Sequence, residues 1–201
     1  MCEQCWANLR VAPQLQERYA SGHAITWACA VDRYEGPMKD IIHSLKYEHR
    51  RSIATPLGQL MRERGAELLR DANAVVPVPL HPRREYERGF NQAEDLAAHL
   101  GPPVMRLLVR VRHTHSQIEL PRHQRQENVK DAFAFRPDPR LVLRCASRGG
   151  GSLIPAPCIA VLVDDVSTTG ATLEACARVL KSAGVKEVRA LTAARVVSER
   201  R

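Results

Sequence analysis

Two adjacent carboxylates followed by hydroxyls and a glycine are the residues of this chain best placed to do chemistry. They lie in CIAVLVDDVSTTGAT, Cys158–Thr172. Asp164 and Asp165 are hydrogen-bond acceptors and suit a cis-diol such as that of ribose. Thr168, Thr169 and Thr172 supply hydroxyl donors, and Gly170 lets the backbone approach a ligand closely or turn with positive φ. Where such a loop opens a helix, the first backbone N–H groups have no intrahelical partner and sit at the positive end of the dipole. Ser167, Thr168, Thr169, Gly170, Ala171 and Thr172 therefore form a candidate pocket for a phosphate monoester. Acid pair and loop together read as a clamp for ribose 5-phosphate. The plainer alternative is a capped strand-to-helix turn with its carboxylates in solvent.

The elements that must hold these groups are a strand and a helix. Ile159–Val163 is an apolar, β-branched run bounded by prolines and the acids, which predicts an interior parallel strand ending at Val163. After Gly170, Leu173, Cys176, Ala177 and Leu180 recur at helical spacing on one face. Upstream, Ala24–Tyr47 reads as strand then helix, with Met38, Ile41, Ile42 and Leu45 inward after Gly36-Pro37. Lys46 closes that helix and either faces a phosphate or is an exposed helix-end lysine.

A second helix is expected over 53–69, with Leu57, Leu60, Met61 and Leu68 inward, and a short buried strand over 74–80. Arg83, Arg84 and Arg88 then crowd a turn that ends at Gly89, and a helix follows from Asn91. Arginines on a strand-to-helix loop are well placed to fork onto phosphate oxygens. Residues 104–111 predict a strand, and Phe133, Phe135 and Leu141–Leu143 a strand pair. Between them, Arg106 to Arg125 hold five arginines and three histidines against one acid, Glu119. A connection of that length in a compact domain is functional or disordered. Its histidines His113, His115 and His123 lack metal spacing and read as polar loop residues. Residues 148–157 read as a flexible connection, Gly184 as a helix stop, and 188–197 as a closing strand.

With 201 residues, 44% of them hydrophobic, the chain can fill the core of one domain, and at 4% aromatic that core is aliphatic. No apolar run is long enough to cross a membrane, and MCEQCWANLR lacks a signal-peptide core, so membrane insertion is not expected and a cytoplasmic location is. A formal charge of +8 favours an anionic partner, either a phosphorylated metabolite or a nucleic acid. Cys2 and Cys5 form one CxxC, half of a zinc ribbon, and no second CxxC is present.

LVDDVSTTGAT resembles the motif by which type I phosphoribosyltransferases bind 5-phosphoribosyl 1-pyrophosphate (PRPP). The resemblance implies that Asp164 and Asp165 hold the ribose hydroxyls and that Ser167–Thr172 hold the 5-phosphate. Three further segments are similar to the ComF family of competence-related proteins, also called the amidophosphoribosyltransferase-like or GntX group. They are YEGPMKDIIHSLKY, PVPL followed by RGFNQA, and the spacing Arg112, Thr114, Gln117, Leu120, Arg125, Asn128. By that likeness Arg83, Arg84 and Arg88 face the pyrophosphate. Arg112, Gln117, Arg125 and Asn128 belong to a flexible loop that closes over PRPP.

The implied fold is α/β: a type I phosphoribosyltransferase-like core over 31–201, with a central, mainly parallel sheet flanked by helices and its ligand at the C-terminal strand ends. Residues 1–30 are expected to be a small extension, the remnant of a zinc-ribbon-like segment. Mg²⁺ is implied with PRPP, and Zn²⁺ only if another CxxC precedes Cys2 and Cys5. Three roles remain open on the resemblance. They are a PRPP-binding protein of DNA uptake, an active phosphoribosyltransferase of nucleotide salvage or biosynthesis, and a non-catalytic module for single-stranded DNA or a competence-pathway protein.

Overall fold

The structure, a computed structural model, describes residues 6, 9, 15–48, 50–112, 131–137 and 157–197. Its strands are β1 (Leu15–Arg18), β2 (Trp27–Arg33), β3 (Ala74–Pro77), β4 (Leu108–Arg110), β5 (Phe133–Phe135), β6 (Ile159–Ser167) and β7 (Glu187–Arg195). Its helices are α1 (Gly36–Tyr47), α2 (Ala54–Arg64), α3 (Ala66–Leu69), α4 (Pro82–Arg88), α5 (Gln92–Ala97) and α6 (Ala171–Ser182). Five strands make one sheet in the order β1-β2-β7-β6-β3. Only β1 runs antiparallel to its neighbour; β2, β7, β6 and β3 are parallel. A parallel bridge from Val75 to Val104 extends the sheet beyond β3. β4 and β5 form a separate antiparallel pair whose far ends lead into and out of the basic stretch.

The pleat sends alternate residues to two covered faces. On one, Val75, Val161, Val163, Leu191 and Ala193 pack against Met38, Ile41, Ile42 and Leu45 of α1, Leu57 and Met61 of α2, and Leu96 of α5. On the other, Val76, Ala160, Leu162, Val188 and Ala190 meet Leu173, Cys176, Ala177 and Leu180 of α6, with Leu108 and Phe133 beside them. The four inward side chains of α1 are all fully buried. Each is worth roughly 1.5–3 kcal/mol when removed from water, against the few tenths by which most helix propensities differ. Packing, not propensity, therefore holds α1 on the sheet. These are the inward faces expected from the sequence, and the mixed sheet of mostly parallel strands between helices is the expected architecture.

Four boundaries differ from the sequence reading, each for a local reason. β6 does not stop at Val163, because β7 keeps pairing with it through Asp164↔Thr192, Val166↔Ala194 and Ser167↔Arg195. The helix expected over 53–69 is a 3-10 turn, then α2, then α3, with the poor helix former Gly65 at the break. The arginine turn after β3 is itself a helix, α4: Pro82 fits its first turn and His81 Nδ1 accepts the Arg83 N–H at 3.2 Å. The division expected at residue 30 falls inside β2, and β1 and β2 are joined to the same sheet as β6. Leu141–Leu143, Cys2 and Cys5 lie outside the described residues.

The segment RGFNQA acts as a joint. Gly89, at φ 76, ends α4 in the left-handed region that favours glycine. Phe90 is buried, and Asn91 both caps α5, accepting the Ala93 N–H at 3.0 Å, and donates through Nδ2 to the Val78 carbonyl at 3.1 Å. One buried side chain thus fixes the start of α5 to the end of β3. Loss of the cap alone costs about 1 kcal/mol, and the orphaned Val78 carbonyl adds to that. Asn91→Ala is expected to lower the melting temperature by at least about 2–4 °C, measured by thermal denaturation; an unchanged value means that the joint carries no strain-bearing contact.

Candidate functional site

Because β6 stays a regular strand through the acid pair, its two neighbouring carboxylates go to opposite faces. Asp165 shares the parity of Val161 and Val163 and enters the layer occupied by α1. It is 3% exposed. Its Oδ1 accepts the Val166 N–H at 2.8 Å. Its Oδ2 is shut away from water and meets Lys46 Nζ at 2.5 Å, a contact of charge without a well-angled hydrogen bond. Asp164 shares the parity of Ala160 and Leu162 and faces the layer of α6. Its Oδ1 accepts the Asp165 N–H at 2.9 Å, which leaves Oδ2 for a ligand.

Four cations converge on this end of β6. Lys46 comes from the last turn of α1, Arg84 and Arg88 from one face of α4, and Arg110 from β4. Burial pushes the Asp164 carboxyl up to about 6, against the pull of Lys46, Arg110 and Arg88. Burial likewise brings the Lys46 ammonium down to about 8; Asp164 opposes the change, and Arg88 and Arg84 add to it. Lys46 therefore touches Asp165 and also feels Asp164 across the strand. Arg88 and Arg110 are lowered too, first by burial, with Arg84 contributing to both. Mutually repelling cations held partly out of water form a site short of negative charge. Arg88 is aimed by Gln92, whose Oε1 accepts from Nη1 at 2.6 Å, and lies over the Tyr47 ring at 5.6 Å.

The phosphate-loop candidates sit where the sequence put them, in a shorter loop. Ser167 ends β6, Thr168–Gly170 make the turn, and Ala171 and Thr172 open α6. Gly170 is the N-cap, at φ 76, without a side-chain cap; the Ala171 N–H donates to Thr169 Oγ1 at 3.4 Å, and this end of α6 is the positive end of its dipole. Asp164, Ser167, Thr168, Gly170, Ala171 and Thr172 line one shallow depression, and Asp165 is not among its walls. A much larger cavity, about 520 Å³, lies on the opposite flank of the loop, between β1, β2, β7 and α6. None of the four cations lines either hollow; Asp164 lines the smaller one alone, and Ser167, Gly170 and Ala171 border both.

Of the remaining candidates, Arg83 points to solvent and pairs with Glu87 at 2.9 Å, because on α4 residues 83 and 87 share one face and 84 and 88 another. Arg112 is exposed just beyond β4. Gln117, Arg125 and Asn128 lie outside the described residues. Lys46, read as either phosphate-facing or an exposed helix end, is neither exposed nor free: its side chain is 17% accessible and paired. Arg110 was not singled out by its sequence. The signal available was its place in the alternation Leu108, Val109, Arg110 on a strand whose neighbours are buried.

The phosphoribosyl transferase domain family matches residues 87–201. Competence protein F of Haemophilus influenzae is 30% identical over 196 residues, covering 92% of this chain and 76% of that protein. DNA utilization protein YhgH of Escherichia coli (strain K12) is 33% identical over 172 residues, 77% of this chain and 66% of that protein. Competence protein ComFC of Bacillus subtilis is 30% identical over 156 residues, 77% and 58%. A solved structure of the allosteric regulatory enzyme of purine biosynthesis aligns with 70% of this chain and 26% of its own, at 20% identity and TM-score 0.40.

Holding Asp164 ionised opposes folding. A carboxyl raised from 3.8 to about 6 contributes stability that is present below the lower value and lost as pH rises through the higher. Asp164→Asn removes that cost. Its melting temperature is expected to match the parent near pH 4 and to exceed it by a few degrees at pH 7 and above. A mutant that melts below the parent at pH 7 contradicts the burial of this charge.

Proposed function

Because the chain belongs to the phosphoribosyl transferase domain family, in the ComF-type branch that includes competence protein F, we propose that it binds PRPP or a related ribose 5-phosphate and acts in the uptake or use of DNA. The observation that carries the binding half is the meeting of one ionisable carboxylate, the positive end of a helix and four cations at one strand end. The 5-phosphate fits the turn at Thr168–Gly170 and the first turn of α6. The ribose hydroxyls fit Asp164. Arg84, Arg88 and Arg110 stand where a pyrophosphate on the sugar's first carbon needs its charge neutralised, whether it is only held or also departs.

Magnesium fits this site as part of the ligand. Among the described residues no three His, Cys, Asp or Glu side chains converge to hold a metal, and Asp165 is taken by Lys46. With Asp164 as the one carboxylate left, the ion's remaining partners are oxygens of the ligand and water. Held there by Asp164 together with the ligand, it would supply neutralisation of the pyrophosphate charge.

The DNA half rests on relatives named competence protein F and DNA utilization protein. Among the described residues no helix is long and apolar enough to cross a membrane. A DNA strand and a pathway protein are both candidate partners. Single-strand binding through the basic surface requires affinity that falls steeply with salt.

The binding reading is tested by calorimetry with PRPP and Mg²⁺ beside ribose 5-phosphate. Both ligands are expected to bind, with PRPP the tighter. Arg84→Ala with Arg88→Ala is expected to weaken PRPP at least about tenfold, as charge-assisted contacts of this kind do, while ribose 5-phosphate changes less than twofold. Absence of binding by either ligand to the parent protein defeats the proposal; equal losses for both assign the arginines to the wrong phosphate. Pyrophosphate release with a panel of nucleobases measures whether binding leads on to transfer.

A further inference from the structure

The cavity of about 520 Å³ between β1, β2, β7 and α6 has no part in the ribosyl-phosphate reading. Its volume falls within the roughly 300–1,000 Å³ of small-molecule sites. The pleat makes its floor. β2 turns Trp27, Cys29 and Val31 into the layer of α1, and Ala28 and Ala30 the other way. On β7, Ala190 and Thr192 share that side, in register as Ala28↔Ala190 and Ala30↔Thr192. Two facing pairs of small side chains leave a flat floor, where the next strand, β6, carries Leu162. Helix α6 does not fill the space. Its inward stripe packs on β6 and β7, while its flank, Ala171, Glu174, Ala175 and Arg178, forms one wall at helical spacing. Tyr19, Ile25 and Phe133 add apolar and aromatic lining.

Two features select what this cavity takes. Its lining charges balance, Glu174 and Asp131 against Arg178 and Arg195. Most of them are already engaged: Glu174 Oε1 accepts the Ala24 N–H at 2.9 Å and Arg178 Nε at 3.3 Å, and Arg195 Nη1 donates to Glu17 at 2.5 Å. A phosphate would find no surplus of positive charge here, so the ligand is neutral. The second feature is Thr192, which lines the cavity, is 3% exposed and forms no side-chain hydrogen bond among the described residues. A hydrocarbon chain would bury that hydroxyl unpaired, whereas a ring with polar edges satisfies it.

We infer that the cavity binds a neutral, flat heteroaromatic ring, laid on the alanine floor with a hydrogen-bonding edge at Thr192, as a second ligand held together with the sugar phosphate. Ser167, Gly170 and Ala171 border both hollows, so the two ligands lie on opposite flanks of one loop. A ring seated there is across the loop from the 5-phosphate. It is therefore not a partner in transfer at the carbon that carries the pyrophosphate. This relation to the sugar phosphate rests on the reading given above; the occupancy of the cavity does not.

The test follows amide shifts of ¹⁵N-labelled protein, and calorimetry, with adenine, thymine, adenosine and thymidine as ring probes and with decanoate as the hydrocarbon control. A ring probe is expected to move Ile25, Ala28, Ala30, Ala190 and Thr192 together and to saturation, and decanoate is not. Free bases beside nucleosides tell whether the ring enters alone or on a sugar, and binding of either upholds the inference. The same probe is expected to bind still when ribose 5-phosphate is saturating. Thr192→Val, which removes the hydroxyl and keeps the shape, is expected to weaken the ring by about threefold to tenfold. Ala28→Leu, which grows into the empty space, is expected to weaken it at least about tenfold. Neither variant is expected to change ribose 5-phosphate affinity by more than about twofold.

Four results overturn the inference: no ring probe moves these amides, decanoate alone moves them, ribose 5-phosphate expels the ring, or both variants bind it as the parent does. A parent protein that takes a ring probe but no ribose 5-phosphate defeats the ribosyl-phosphate reading instead. The cavity is then judged from the ring probes and the two variants alone.

Discussion

The pleat of one strand governs this site. β6 keeps its ladder with β7 for nine residues, to Ser167, so the two carboxylates it carries are forced to opposite faces of the sheet. Had the strand frayed after Val163, both acids would have been free to turn toward the same ligand. Instead one is committed to the layer under α1, where it neutralises an inward lysine, and the other to the layer beside α6. The sheet and its two helical layers are thereby carried directly into the chemistry. A helix on each side of β6 delivers a different neighbour to each acid: α1 brings Lys46, and α6 brings its N-terminal end.

Basic groups that crowd a buried site oppose folding, and the rest of the molecule bears that cost. Arg88 is lowered by burial and by Arg84, yet Gln92 and Tyr47 hold it in place. The support for Gln92 comes from Asn91, which fastens α5 to the end of β3. RGFNQA is therefore a chain of consequences in six residues: a charge near Asp164, a left-handed turn, a core anchor, a cap, and a brace for the charge. Outside the site, ordinary packing supplies the stability. Four buried side chains on α1 and five on α6 hold those helices against opposite faces of the same strands.

Much of this was legible in the order of residues. The apolar run before Asp164, the inward spacing on α1 and α6, and the hydroxyl-rich turn all follow from local periodicity and composition, and they are where the chain places them. Less legible were features set by tertiary pairing. The extension of β6 past Val163 depends on β7, distant in sequence, and nothing in DDVS announces it. The helix over Pro82–Arg88 looked like a turn because three arginines and a glycine are common in turns; the fold makes it a helix, and only then do Arg84 and Arg88 part from Arg83. Lys46 ends an amphipathic helix, a position where exposure is usual, and its burial depends on a carboxylate more than a hundred residues later.

The account stands most directly on an anion seated at the start of α6, beside Asp164. Backbone amide shifts of ¹⁵N-labelled protein, followed while ribose 5-phosphate is added, report on that spot residue by residue. The account predicts that Gly170, Ala171, Thr172 and Leu173 move first, together and to saturation. Amides there that stay still, while shifts appear around the larger cavity between β1, β2 and α6 or nowhere, contradict it.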